Sequence, residues 1–78
     1  MARLPSQNYL IQEIDGKVVL FQDYTERVIV QFDPTSADSA AKAQKLIYDS
    51  ELSDEDKSFA HFWSGYYYAH LGDKLSNG

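Results

Sequence analysis

The chain has 78 residues, of which 44% are hydrophobic, with twelve Asp and Glu against seven Lys and Arg. This length allows a single domain, residues 1–78, and the apolar content suffices for a core, which excludes a disordered tail. The net charge of −5 argues against a protein that binds nucleic acid directly.

The small size of the chain predicts self-association. A domain of this length buries only roughly 60–65% of its unfolded surface, and the sequence contains no cysteine that could add disulfide bonds or thiolate ligands. No apolar run approaches the roughly 18–20 residues of a membrane span, and the first residues contain no signal-peptide core. We therefore expect a cytoplasmic protein without membrane contact that forms a homo-oligomer.

The first half of the chain predicts β-strands. Residues 8–14 and 17–23 are β-rich and flank Asp15-Gly16, the dipeptide that suits the two positive φ angles of a type I′ turn. A third run, residues 27–32, ends at Asp33-Pro34, because proline cannot donate to a strand ladder. These signals predict a three-stranded antiparallel meander.

The second half predicts two helices. Ser36 is the expected cap of a helix that runs to about Asp49, and Ser53 is the expected cap of a second helix that ends near Gly72. The predicted fold class is α+β, a three-stranded antiparallel β-meander followed by two helices packed on one sheet face (βββαα). The ordered core is expected to span about residues 8–72, with residues 1–7 and 73–78 flexible.

The strand register predicts which face of the sheet the helices cover. Two-residue turns place Phe21 opposite both Leu10 and Val28. The face expected under the helices then carries Leu10, Ile14, Val19, Phe21, Val28, Val30 and Phe32. The opposite face carries Tyr9, Ile11, Val18, Leu20 and Ile29 among polar residues. This second face is either a solvated mixed surface or, as we favour, an interface with a second copy or another protein.

Aromatic residues dominate the second helix. One stripe at helical spacing is predicted to pack on the sheet: Phe59, Phe62, Trp63, Tyr66 and His70. Tyr68 lies off this stripe and is predicted to contribute to an interface, although it could equally lie at the edge of the domain. Gly65 is expected to mark a close approach by another backbone.

No pattern in the sequence predicts catalysis. His61 and His70 would lie on opposite sides of the helix, so they cannot share a metal ion. Helix capping accounts for the acidic residues at 54–56, which lack the spacing of a calcium loop. The sequence contains neither a phosphate-binding glycine loop nor a nucleophile elbow, so we expect no enzyme activity, no metal and no cofactor.

One segment resembles a known class of proteins. The βββαα layout, the absence of cysteine and the sequence SELSDEDKSFAHFWSGY at residues 50–66 resemble small accessory proteins encoded by phages of actinobacteria. The resemblance covers much of residues 9–70 and assigns no functional residue. It implies a non-structural protein that acts in the cytoplasm of the infected host cell by binding a host protein, for example in counter-defence.

Three functional hypotheses follow. We favour a small non-enzymatic interaction module that self-associates through the second sheet face and meets a partner through an acidic corner, formed by Asp49, Glu51, Asp54, Glu55 and Asp56. The alternatives are a binder of a planar, nucleotide-like ligand, which would stack on Trp63, Tyr67 or Tyr68, and a weak acidic mimic of nucleic acid.

Overall fold

A computed structural model describes residues 2–76, in which a four-stranded antiparallel sheet precedes two helices. The strands are β1 (Ala2–Arg3), β2 (Tyr9–Ile14), β3 (Lys17–Gln22) and β4 (Val28–Phe32), and they lie in the order β1-β2-β3-β4. The helices are α1 (Ala37–Tyr48) and α2 (Asp54–Ser76). The α+β class is confirmed, but the sheet has four strands where three were expected.

The additional strand comes from the N-terminal segment that was predicted to be flexible. Ala2 and Arg3 pair with Ile11 and Leu10 of β2, and the Leu4 side chain is fully buried. The Leu4 N–H donates to the Tyr9 carbonyl, and Gln7 closes the turn with a positive φ of 67°. A strand of two residues has no alternating pattern to read, which is why the sequence did not reveal it.

The local signals for turns and caps are confirmed. Asp15 and Gly16 have φ angles of 52° and 83°, as a type I′ hairpin requires, and Ile14 pairs with Lys17. The Ser36 hydroxyl accepts from the Ser39 N–H at 3.1 Å and caps α1. The Ser53 hydroxyl accepts from the N–H of residue 56 at 3.2 Å and caps α2 in the same way.

A bulge in β4 reverses the predicted assignment of the sheet faces. Phe21 pairs with Val28 as expected, but Leu20 pairs with Val30 and Val18 with Phe32, so the register shifts by one residue. Because neighbouring side chains alternate between faces, this shift moves Val30 and Phe32 to the face that carries Leu20. That face thereby gains two large apolar side chains, and it is the one that the helices cover.

The core therefore lies on the sheet face that was predicted to be free of helices. The buried apolar residues of this core come from the strands, the two helices and their connections: Ala2, Leu4, Ile11, Val18, Leu20, Val30, Phe32, Ala43, Ile47, Leu52 and Ala60. The stripe of α1 that includes Ala43 and Ile47 is buried as predicted. The other face, with Ile14 and Val28 exposed, has no helix against it.

Helix α2 continues past the end predicted for it at Leu71. Gly72 lies inside the helix, where a Cβ atom would come within 2.5 Å of the Pro34 carbonyl oxygen. This glycine thus permits the close approach to the β4–α1 connection, whereas Gly65, expected in that role, has no neighbour near its Cβ position. Of the residues 73–78 that were predicted to be flexible, 73–76 belong to α2, and 77–78 lie outside the described residues.

The two glycines of α2 should respond oppositely to alanine. Gly65→Ala should raise the free energy of unfolding by about 1 kcal/mol, because it removes the backbone entropy cost of glycine without a clash. Gly72→Ala should lower it by about 1–3 kcal/mol, because the new methyl group collides with the Pro34 carbonyl. Urea denaturation of both variants measures the difference, and equal shifts for the two would contradict the close approach.

Candidate functional site

A row of aromatic side chains along α2 forms an exposed apolar surface, which we call the aromatic ridge (Phe59, Phe62, Trp63, Tyr66 and His70). Phe59 is 44% exposed, Phe62 64% and Tyr66 44%, whereas Trp63 is half-buried against the core. The rings from Phe62 to His70 contact one another, with centroids 5.5 Å apart for Phe62–Trp63 and 5.2 Å for Trp63–Tyr66. The ridge is therefore a preassembled aromatic surface rather than a set of isolated side chains.

The position of the ridge corrects the prediction that this whole stripe packs on the sheet: Trp63 does pack against the core, but Phe59, Phe62, Tyr66 and His70 lie exposed beside it. The side of α2 that faces the core carries the smaller residues Asp56, Ala60 and Ser64, all buried and spaced four residues apart. This spacing puts them on one side of the helix. The ridge is rotated from that side by about a quarter turn around the helix axis. Small side chains allow α2 to approach the core closely, and this close approach leaves Phe59, Phe62 and Tyr66 on the flank.

Tyr67 marks the boundary between the ridge and the core. Its ring is half-buried and lies 5.9 Å from the rings of both Trp63 and Tyr66. Burial raises the pKa of the Tyr67 hydroxyl, and the neighbouring Tyr66 and Glu13 raise it further. At the far end of the ridge, His70 stacks on Tyr66 with ring centroids 4.2 Å apart.

The residues predicted to form an interface are mostly core residues. Ile11, Val18 and Leu20 are each only 1% exposed, and Tyr9 and Ile29 pack against the same core. The cause is the bulge in β4, which made this face the more apolar one and brought the helices onto it. Of the predicted set, only Tyr68 is exposed, on a side of α2 away from the ridge, and its role in an interface stays a prediction.

The sheet face that lacks a helix is a second, weaker candidate surface. Ile14 is 39% exposed and Val28 50%, but Leu10 and Val19 on the same face are already buried. A shallow cleft of about 300 Å³ lies between Ile14, Val19, Phe21 and Val28. Much of the apolar surface here is therefore already removed from water. The free energy gained by covering the rest is smaller than at the ridge.

The predicted acidic corner is only partly a surface. Asp49, Glu51, Asp54 and Glu55 are exposed, but Asp56 is 2% exposed. Asp56 Oδ1 accepts a hydrogen bond of 3.0 Å from the Ser6 N–H, so this carboxylate ties the β1–β2 connection to α2. The assignment of Asp56 to partner binding is wrong, because the side chain is already used within the fold. For the four exposed carboxylates, the assignment stays a prediction.

A cleft of about 380 Å³ separates the start of β4 from the end of α1. Arg27 lines it together with Asp49 and Glu51, and Tyr9, Leu46 and Leu52 supply apolar walls. The cleft thus places one cation and two carboxylates around the same opening. This arrangement is open to solvent and contains no buried polar group without a partner among the described residues.

The polar side chains of the helices make structural contacts. His61 Nδ1 pairs with the Gln44 amide oxygen, and the Gln44 amide donates to the His61 carbonyl, which links α1 to α2. The Ser64 hydroxyl donates to the carbonyl oxygen of Ala60, one turn earlier in its own helix. Between residues 2 and 76, no three His, Cys, Asp or Glu side chains lie together as a metal site would need.

Comparisons with protein-family models, with curated proteins and with solved structures found no match. None of the helices in the described part of the chain has the length and apolar character needed to cross a membrane. The surface of the molecule is therefore the basis for any functional proposal.

The role of Asp56 can be tested by comparison with its neighbour. Asp56→Ala should lower the free energy of unfolding by about 1–3 kcal/mol, because it leaves the Ser6 N–H without an acceptor. Asp54→Ala, in the same turn but exposed, should cost no more than about 1 kcal/mol through the helix dipole. Chemical denaturation of the two variants gives both values, and Asp56→Asn, which keeps an acceptor, should recover most of the loss. Equal losses at the two positions would exclude a structural role for the Ser6 contact.

Proposed function

We propose that the protein is a small non-enzymatic interaction module that self-associates through the aromatic ridge of α2. The observation that carries this proposal is the exposure of Phe59, Phe62 and Tyr66 on one side of a single helix. Aromatic residues in partly exposed, mutually supported positions are the residue types most enriched in protein interfaces. This proposal keeps the interaction function expected from the sequence and moves it from the sheet to the helix.

The amount of apolar surface supports a reversible contact. A fully covered aromatic side chain removes about 150–250 Å² from water, so three residues at these exposures leave roughly 230–380 Å² to be covered. Stable dimers bury about 800 Å² per partner, and Trp63, His70 and the flanking residues supply only part of the remainder. We therefore expect association that depends on concentration rather than a permanent dimer.

A small chain gains stability from such a contact. Without disulfide bonds, a domain of 78 residues depends on a single modest core, and an interface that binds only the folded state adds to its stability. The identity of a second, host-derived partner and the phage setting remain predictions of the sequence resemblance. The exposed acids at positions 49, 51 and 54 are the surface proposed for that partner.

The proposal predicts a specific loss of self-association. Wild-type protein should show a concentration-dependent increase in sedimentation coefficient, and Phe62→Glu should raise the dissociation constant by about 30-fold, the effect of losing about 2 kcal/mol at a central contact. Tyr24→Glu is the matched control, since Tyr24 is 88% exposed in the β3–β4 connection. Sedimentation velocity over a wide range of concentrations gives both constants.

Two results would contradict the proposal. A wild-type protein that remains monomeric at all concentrations excludes self-association, and an unchanged dimer in Phe62→Glu excludes the ridge as its interface. Circular dichroism of each variant separates a lost interface from a lost fold.

A further inference from the structure

We infer that the ridge binds a second copy of this chain with the two α2 helices antiparallel, so that Glu55 of each copy lies opposite His70 of the other. This inference rests on the proposed function and specifies its partner and orientation. Three independent properties of α2 lead to it: the spacing of its exposed residues, the distribution of its charge, and the symmetry of its sequence about the centre of the ridge.

The spacing along α2 is that of a helix–helix seam. Glu55, Phe59, Phe62 and Tyr66 follow one another at intervals of four, three and four residues, and the overlapping set Phe59, Trp63, Tyr66 and His70 has the same intervals. This alternation keeps side chains on one narrow line of a helix and is the pattern that packs against a second helix at a small crossing angle. Phe59, Phe62 and Tyr66 are exposed and Trp63 is half-buried, so most of this side of α2 is free to contact such a helix.

The charge on α2 distinguishes the two possible orientations. The first turn carries Asp54 and Glu55, both exposed, whereas His70 lies at the other end of the ridge. A parallel pair would place the four carboxylates of two first turns side by side, which is repulsive. An antiparallel pair separates these first turns and places each Glu55 carboxylate where an imidazole N–H of His70 can donate to it.

The sequence of the ridge is complementary to itself in the antiparallel orientation. With a twofold axis between positions 62 and 63, Phe59 faces Tyr66 of the second copy and Phe62 faces Trp63. Glu55 then faces His70, so all three pairs are formed by a single alignment. A twofold axis makes every such contact twice, which is how a short surface can hold two identical chains together.

Disulfide cross-linking tests the orientation, because the natural chain contains no cysteine. The variants Glu55→Cys and His70→Cys are prepared separately, with one of them isotopically labelled, and are mixed under mild oxidation. Mass spectrometry then counts mixed disulfides, which join position 55 to position 70, and like disulfides, which join two copies of the same position. Tyr24→Cys is the control for random collision, since that exposed residue lies outside α2.

The antiparallel pair predicts mixed Glu55→Cys/His70→Cys disulfides in excess of either like disulfide by about tenfold. In this arrangement two copies of position 55 are about 22 Å apart, from fifteen residues at 1.5 Å each, and a disulfide spans less than about 7 Å between Cα atoms. The disulfide between positions 55 and 70 should therefore form fast. The disulfides between two copies of position 55, or two copies of position 70, should form only at the rate of the Tyr24→Cys control.

The outcomes separate this inference from the proposed function. A predominance of like disulfides at position 55 would show a parallel pair and overturn the orientation, while self-association through the ridge stands. A wild-type dimer by sedimentation with no cross-link above the control would also overturn it. A wild-type protein that sediments only as a monomer overturns both.

Discussion

The close approach of α2 to the core is the constraint on which the rest of the structure depends. Asp56, Ala60 and Ser64 form the buried side of the helix, and Gly72 lets its backbone pass the Pro34 carbonyl. Since these groups are small, the helix axis lies close to the layer beneath it. Larger side chains such as Trp63 and Tyr67 pack only at the edge of that narrow space, and the exposed members of the aromatic ridge lie outside it. The surface on which the proposed function depends is therefore a product of the packing of the core.

Local chemistry made much of the fold predictable. The Asp15-Gly16 turn, the two serine caps and the boundaries of α1 depend on interactions within a few residues, and each is formed as expected. The assignment of sheet faces failed because it depends on the whole length of β4. One extra residue in that strand transfers Val30 and Phe32 to the other face, and nothing in an uninterrupted apolar run signals such a bulge.

The candidate site was found in part. Helical periodicity correctly grouped Phe59, Phe62, Trp63, Tyr66 and His70 on one stripe, but it could not say which stripe of α2 packs on the core. A ranking by hydrophobicity favours the aromatic stripe, whereas the fold buries the adjacent stripe of smaller residues. The buried role of Asp56 was missed for a related reason, because its partner is the backbone of Ser6, fifty residues away. A contact across that separation leaves no local pattern.

The hydrogen bond between Ser6 and Asp56 also joins two segments that are fifty residues apart in the chain. The strand β1 can pair with β2 by local contacts, but the β1–β2 connection gains its carboxylate acceptor only when α2 has folded against the sheet. The hairpin of β2 and β3, joined by two residues, can form as soon as it emerges. Contacts between distant segments form slowly because a long loop must close first. The β1–β2 connection is thus expected to become fixed against α2 only after the β2–β3 hairpin has formed.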